Sequence, residues 1–569
     1  MTIESWIKRT VGTGILTVTL APLGWAQPVN SPSDGQDGIP VTSPVVRRVC
    51  GACHVGDADG RMSRISYQRG SPEGWQQTIR RMVLLNGLEV EPDDARVIVQ
   101  YLANRHGLAP EEARPAAFEV ERRLIDHVYE ADPETQTTCT KCHSLGRVIS
   151  QRRTREEWDL LAAMHQGYYP LADFQSFYGR GPAPPLEVDG SRMYPIDKAI
   201  EHLSSAFPLT TPEWTAWSRN LRPTRLSGTW ALTGSERGKG PVFGVVTLTA
   251  VQDASDGYQA QISYMYARTG QSVTRSGRSL VYTGFQWRGR SETEDGEVLR
   301  EVMFVDRNQQ RMSGRWFTGD HDERGLDITL TRVGSSPTVN GIHPAAVQQS
   351  SGEVLLTLYG ANLPTESMVD DFDFGPGINV AEVVEASTTR AVVRAEVMPE
   401  AAVGTRDLFL GEVFLSNAVT VYDQVDRIEV TPATGMARIG GVVFPKRYEQ
   451  FEARGYHHGA DGVSGTADDL DLGMVDVEWT VEEYATFVGD DDTEFIGVLD
   501  SEGFFTPAID GPNPERVNNN NNVGDVWVVA TYRDQDSEDP IVRSLRARAH
   551  LLVTVPIYNR RDAWAGERP

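Results

Sequence analysis

Cys50-Gly51-Ala52-Cys53-His54 recurs as Cys139-Thr140-Lys141-Cys142-His143, and these two pentapeptides hold all four cysteines of a 569-residue chain. C-x-x-C-H is the attachment signature of a c-type haem. Two thiols at that spacing add to the two vinyl groups of one porphyrin, and the adjoining histidine reaches the iron from the proximal side. A C-x-x-C pair also serves as half of a zinc site or as a thioredoxin-like redox pair. Zinc wants four ligands close together, whereas two matching pentapeptides far apart, each with its own histidine, fit one cofactor per motif. A redox pair gives no reason for the histidine in both copies. The reading is therefore two covalent haems, on Cys50 and Cys53 and on Cys139 and Cys142, with His54 and His143 as proximal ligands and electron transfer as the chemistry.

The residues that follow each motif repeat as well. Ser71-Pro72-Glu73-Gly74-Trp75 opens a helix with Ser71 as N-cap and Pro72 at its first position, and Trp75, Ile79, Met82 and Val83 form an apolar stripe at helical spacing. A second helix runs from Pro92 to His106 and stops at Gly107; it resembles the closing helix of small class I cytochromes c. In the second copy, Thr154 and Glu157 read as a capping box, and Trp158 aligns with Trp75. Seven residues beyond each Trp the copies diverge, to Met82 in one and His165 in the other. Met and His are the usual distal ligands of a six-coordinate haem, so the expectation is Met82 on the first iron and His165 on the second. Met82 also reads as a core residue of its stripe, Met164 rivals His165, and His106 and His127 are weaker contenders. Arg47, Arg48, Arg147, Arg152 and Arg153 are candidates for pairing with haem propionates, most of them reading as solvated surface residues.

Met1 to Ala26 reads as an export signal: Lys8 and Arg9, an apolar run from Val11 to Ala21, and a small-x-small site at Gly24-Trp25-Ala26. The run is too short to span a bilayer, no later stretch approaches the roughly 20 apolar residues of a membrane helix, and a periplasmic location is expected. With 40% hydrophobic and 23% charged residues the chain is globular. Its net charge of −25 disfavours nucleic acid and anionic membrane as partners and favours a neutral or locally basic protein. Residues 27 to about 44 read as a flexible lead-in.

After Pro223 the pattern changes from helical to alternating. Seven or eight short strands, from Gly228-Thr229-Trp230 to Leu326–Leu330, fit a small antiparallel barrel with a structural role. Beyond Pro337, Val354–Leu363 opens a module that resembles an immunoglobulin-like sandwich, and a second begins near Arg427. The fold class is thus multidomain α plus β: signal 1–26, an α-helical dihaem cytochrome c domain 27–223, an antiparallel β-barrel 224–334, and immunoglobulin-like β-sandwich domains 335–424 and 425–569. Within the last, the Asp- and Gly-rich stretch Asp461 to Asp471 has the composition of a Ca²⁺ loop but lacks the final Glu of the EF-hand pattern, and reads first as a solvated acidic loop. Asn518 to Asn522 reads as a low-complexity turn or disordered tip.

This order of parts resembles the large alpha subunit of quinohemoprotein amine dehydrogenase over nearly the whole mature length. The resemblance implies a periplasmic heterotrimer that oxidises primary amines to aldehydes and ammonia. It also implies cysteine tryptophylquinone on a small gamma subunit, a β-propeller beta subunit, and a soluble electron acceptor such as a small cytochrome or copper protein. Thioether ligation favours the reduced iron, and that potential argument alone places the His165 haem towards the quinone and the Met82 haem towards the acceptor. The residues agree on the division of labour: that quinone needs a cysteine, and every cysteine here is assigned to haem. Two other readings remain at this stage, a free dihaem cytochrome or dihaem peroxidase, and a non-redox β-modular scaffold.

Overall fold

The computed structural model describes residues 37–117, 129–141, 143–179, 181–252, 256–319, 322–485, 490–533 and 544–556. The export signal 1–26, His127 and Cys142 lie outside them. Helices come first: α1 (Pro44–Cys50), α2 (Pro72–Asn86), α3 (Pro92–Arg105), α4 (Pro110–Ala113), α5 (Pro133–Cys139), α6 (Gly146–Ile149), α7 (Arg155–Tyr168), α8 (Pro195–Ala206) and α9 (Pro212–Arg219). Two three-residue strands interrupt them, β1 (Gln68–Gly70) and β2 (Gln151–Arg153).

The helical part is built twice from one plan. Each copy opens with a seven-residue helix whose last residue is the first cysteine of the motif. Ser43 caps α1 and Asp132 caps α5, each accepting a hydrogen bond from a backbone amide of the first turn, with proline at the first helical position in both. Each copy then makes its short strand and starts the tryptophan helix, α2 capped by Ser71 and α7 by Thr154. Antiparallel β1 and β2 join the copies through Gln68 opposite Arg153, Arg69 opposite Arg152 and Gly70 opposite Gln151. Arg69 stands six residues before Trp75 and Arg152 six before Trp158, so the central rung pairs equivalent residues and a pseudo-twofold axis passes through it.

The lead-in is ordered over its described part, contrary to its composition. Val41 is fully buried, the Ile39 and Val41 amides donate to the Ser66 and Gly60 carbonyls at 2.8 and 2.9 Å, and Arg47 Nε donates to the Val41 carbonyl at 2.6 Å. The prolines there shape an extended strap across the first copy.

Strands β3 (Gly228–Glu236), β4 (Gly240–Ala250), β5 (Gly257–Tyr266), β6 (Ser272–Tyr282), β7 (Gln286–Glu292), β8 (Val298–Val305), β9 (Arg311–Gly319) and β10 (Asp322–Arg332) close into an eight-stranded antiparallel barrel, β10 pairing back onto β3. Alternation puts Trp230, Trp287 and Trp316 inside, each almost wholly buried. Glu301 is inside too, accepting from Trp287 Nε1 at 2.9 Å, and burial raises its carboxyl above the usual range. A Cβ on Gly289 would stand 2.3 Å from that carboxylate and 2.9 Å from Trp287 Nε1, which is why the position is glycine.

The barrel is the hub of the molecule. Towards the helices, Arg288 pairs with Glu73 of α2, Asn104 accepts from the Thr283 amide at 2.6 Å, and Trp217 Nε1 donates to the Thr283 carbonyl at 2.9 Å. Towards 338–422, Phe243 stacks on Tyr359 with ring centres 4.2 Å apart. Towards the last domain, Arg268 pairs with Asp476 at 2.8 Å. Residues 338–422 form two four-stranded sheets around one core that includes Leu356, Leu358 and Val393. The last domain combines a four-stranded sheet, built on the pair Gly524–Arg533 and Ser544–Thr554, with two three-stranded sheets.

Candidate functional site

Each motif begins at a helix end, so its first cysteine is held in the packed interior while the rest emerges at the surface. Cys50 is buried against Val46, Trp75 and Leu102, whereas Cys53 is exposed and Val55, just past His54, is 72% exposed. Burial pushes the Cys50 thiol up to about 11, with Cys53 adding to it, and the Cys139 thiol up to about 12, with Asp132 adding. A redox pair needs a cysteine of depressed pKa. Raised thiols at Cys50 and Cys139 run against the thioredoxin-like reading.

The histidines are oriented through one ring nitrogen each. His54 Nδ1 lies 2.9 Å from the Ser63 carbonyl, His143 Nδ1 2.9 Å from the Ser144 carbonyl, and His165 Nδ1 2.8 Å from the Leu161 carbonyl one turn back on α7. An Nδ1–H bonded to a carbonyl fixes the tautomer that presents Nε2 to a metal. The His143 and His165 rings lie near each other, with centres 6.4 Å apart and planes tilted by 43°. With a metal–nitrogen bond of roughly 2 Å on each side and a ring radius of about 1 Å, two axial imidazoles stand about 6 Å apart. The donor set and its spacing therefore fit an iron between His143 and His165. Phe177 packs edgewise on the His165 ring at 6.0 Å, and Tyr169 lies tilted to it at 6.2 Å. Burial lowers the His165 pKa, the Leu161 carbonyl opposes the shift, and Arg81 and Arg153 add to it.

Met82 is half-buried on α2, at the position His165 occupies on α7. His106 caps α3 with its ring fully buried beside Trp75 and near the Gln68 backbone, while its carbonyl accepts from Trp75 Nε1 at 2.9 Å. Burial holds its pKa down at about 4.

Two arginines expected at the surface are buried. Arg152 joins Arg69 on Glu112: Arg69 donates to both Glu112 oxygens at 2.8 and 2.9 Å, Arg152 Nε lies 3.2 Å from Oε1, and Thr211 Oγ1 donates to Oε1 at 2.8 Å. Desolvation lowers Arg152 to about 10, and despite its own desolvation Glu112 is held down at about 2, chiefly by its hydrogen bonds and charge interaction with Arg69. Arg153 reaches Glu157 at 3.5 Å, and so does Arg64 at 2.8 Å. The expected capping box is therefore half formed: Thr154 Oγ1 accepts from the Glu157 amide at 3.2 Å, but the Glu157 carboxylate serves the arginines and the Thr154 amide donates to the Tyr67 carbonyl at 3.3 Å. Nothing in the local spacing announces these pairs, whose partners lie up to 93 residues apart.

In the acidic loop, Asp468 Oδ2 accepts from the Ala460 and Asp461 amides at 2.8 and 3.1 Å, while Arg427 pairs with Asp469 and Arg454 with Asp471. Its carboxylates are committed to the turn and to arginines. No helix among the described residues is long and apolar enough to cross a membrane.

Comparison with known proteins follows the same division of the chain. No curated protein matches. Among solved structures, a redesigned beta barrel is similar at 14% identity, covering 19% of this chain and 92% of its own with a TM-score of 0.17. A de novo designed fluorescence-activating beta barrel follows at 16%, 19%, 93% and 0.16, and a tandem from titin at 7%, 55%, 99% and 0.11. Four family models match in succession: the quinohemoprotein amine dehydrogenase alpha subunit haem-binding domain over 41–181, domain II over 223–333, domain III over 336–423 and domain IV over 428–563. With both motifs inside the haem-binding match and the closed barrel inside domain II, the chain belongs to the quinohemoprotein amine dehydrogenase alpha subunit family.

Proposed function

We propose that this chain is the dihaem electron-transfer subunit of a periplasmic quinohemoprotein amine dehydrogenase, receiving electrons from amine oxidation in a partner subunit and delivering them to a soluble acceptor. The observation that carries the reading is the His143–His165 pair, 6.4 Å apart with both Nδ1 atoms held by carbonyls. Each haem, when bound, supplies a one-electron carrier. Cys50, Cys53, Cys139 and Cys142 would anchor the porphyrins covalently, and His54, His143, Met82 and His165 would hold the irons. Ser63 and Ser144 set the proximal rings through their carbonyls, and Phe177 and Tyr169 shield the distal ring of the second unit from water. Thioether ligation raises the potential of an iron relative to imidazole, so Met82 and His165 make the two centres unequal.

The cysteine inventory supports placing the quinone elsewhere. Cysteine tryptophylquinone needs a cysteine, and the four here are all in C-x-x-C-H. It belongs on a gamma subunit, with a β-propeller beta subunit completing a heterotrimer. On this reading the residues 27–223 form the haem domain and 224–334 the barrel, while 335–424 and 425–569 are immunoglobulin-like modules for contact and spacing. The test is purification of the tagged full chain from its native periplasm. Two haems per chain by pyridine haemochrome and a co-purifying small subunit positive for quinone staining are expected. A haem-loaded chain that purifies alone without the quinone subunit would instead mark a free dihaem cytochrome, and a chain without haem a β-modular scaffold.

A further inference from the structure

At the seam between the two copies, two guanidinium groups share one carboxylate and a third stands near them. Arg64 comes from the first copy, Arg81 from the first copy's α2, and Arg153 from the second. Glu157 is the one carboxylate ion-paired with any of them among the described residues, at 2.8 Å from Arg64 and 3.5 Å from Arg153. The Arg153 and Glu157 side chains are 5% and 4% exposed, and Arg81 Nε is buried without a hydrogen-bond partner. Burial first, and then the charge of nearby Arg81, lower the Arg153 pKa. Arg153 Nε and Nη2 also donate to the neutral Gln151 Oε1 at 3.0 and 2.6 Å, and Arg64 is 37% exposed; the cluster still carries an excess of two positive charges in a partly desolvated place, an arrangement that suits two anionic groups.

The neighbouring arginine pair shows what a completed network looks like. Arg69 spends its remaining donors on the Leu209 and Gly107 carbonyls at 2.6 and 2.9 Å and on Thr211. Arg81 has no such outlet for its Nε. Arg64, moreover, is placed with care: its backbone is at φ 66°, ψ −48°, in the left-handed half of the map where a side chain is uncommon. It is the central residue of a γ-turn closed by the Ile65 amide on the Ser63 carbonyl at 2.8 Å. That same carbonyl holds His54 Nδ1, so the turn aims one side chain across the seam while fixing the proximal ring of the first unit.

We propose that Arg64, Arg81 and Arg153 form the receptor for the two propionate carboxylates of one porphyrin, at the seam between the haem units. The proposal rests on the covalent-haem reading above. The charges match, two against two, and guanidinium forks suit carboxylates in bidentate geometry. The seam lies beside both His165 and the turn that holds His54, so either porphyrin supplies the same chemistry, and the experiment tells which.

The experiment is a redox titration of the haem-loaded full chain, wild type against Arg81→Gln, Arg81→Lys and Arg64→Gln, with haems counted first by pyridine haemochrome. Removing a cation beside a propionate favours the oxidised iron. The midpoint of one of the two waves should fall in Arg81→Gln by about 59 mV, a tenfold shift of a one-electron couple, and return in Arg81→Lys. The wave that moves identifies the porphyrin. Arg64→Gln, at a side chain 37% exposed, should move the same wave in the same direction and keeps the test open if Arg81→Gln fails to mature. Arg533→Gln, at an exposed pair with Glu478 in the last domain, should move neither. Two haems with both waves unmoved in Arg81→Gln and Arg64→Gln overturn this inference alone; a chain without haem overturns it together with the reading beneath it.

Discussion

Replacing Glu112 by Gln would test the buried charge network that locks the two haem units to each other and to α9. The substitution keeps the shape and removes the charge, leaving Arg69, whose side chain is fully buried, and Arg152, 8% exposed, without their shared counterion. The size follows from linkage. The Glu112 carboxyl is held at about 2 against an ordinary 4.5, mainly by Arg69; at 1.36 kcal/mol per unit that depression is worth on the order of 3 kcal/mol. Deleting one partner of a buried pair costs about 3 to 5 kcal/mol by general experience, in agreement. A depressed carboxyl contributes its stability in full above its unfolded pKa and loses it as pH falls through the folded value. The gap between wild type and Glu112→Gln should therefore be about 3 kcal/mol at pH 7, roughly a hundredfold in the unfolding equilibrium, and close between about pH 4.5 and 2. Urea unfolding followed by tryptophan fluorescence is suited to it, because the Arg69 guanidinium lies 5.0 Å from the Trp214 ring. A gap that is absent at pH 7, or that stays constant down to pH 2.5, would refute the reasoning.

Further expectations concern the ligands, the caps and the barrel. His165→Ala should open one axial position on the second haem, seen as carbon monoxide binding to the reduced protein, while Met82→Ala should lower the potential of the first; an unchanged spectrum and titration would remove each from the ligand set. Ser71→Ala and Thr154→Ala should each cost about 1 kcal/mol in urea unfolding, since each hydroxyl accepts a first-turn amide, from Gly74 at 3.1 Å and Glu157 at 3.2 Å. In the barrel, burial raises the Glu301 carboxyl, so its ionisation opposes folding as pH climbs; Glu301→Gln should raise the melting temperature at pH 8 and have little effect at pH 4. Gly289→Ala should lower it, by overpacking worth about 1 to 3 kcal/mol.

Where the chemistry is carried by residue type at fixed spacing, it could be read before any coordinates. The two C-x-x-C-H motifs, the caps at Ser71 and Thr154, the matched tryptophans and the strand alternation of the barrel are all local signals. The short helices α1 and α5 were overlooked although Ser-Pro and Asp-Pro stand at the same distance before each first cysteine; seven residues are too few for a periodic stripe, and only the cap pattern marks them. The lead-in looked flexible because proline and glycine counts ignore where amides donate. Arg152 and Arg153 looked solvated because arginine usually is; their burial depends on Glu112 and Glu157, and for Arg152 on a partner 40 residues away. Long-range ion pairs leave no periodicity, so the seam between the units was invisible until the fold brought its parts together.

The three-rung ladder between Gln68–Gly70 and Gln151–Arg153 bears on how the two units stay together. Because its middle rung joins equivalent residues, each edge is complementary to itself. A single unit bearing such an edge would meet a second copy of itself through the same rungs, the isologous contact of a twofold dimer. Within one chain that self-complementary contact is intramolecular, so the two units stay paired at any dilution while one position differs between them, Met82 in one and His165 in the other.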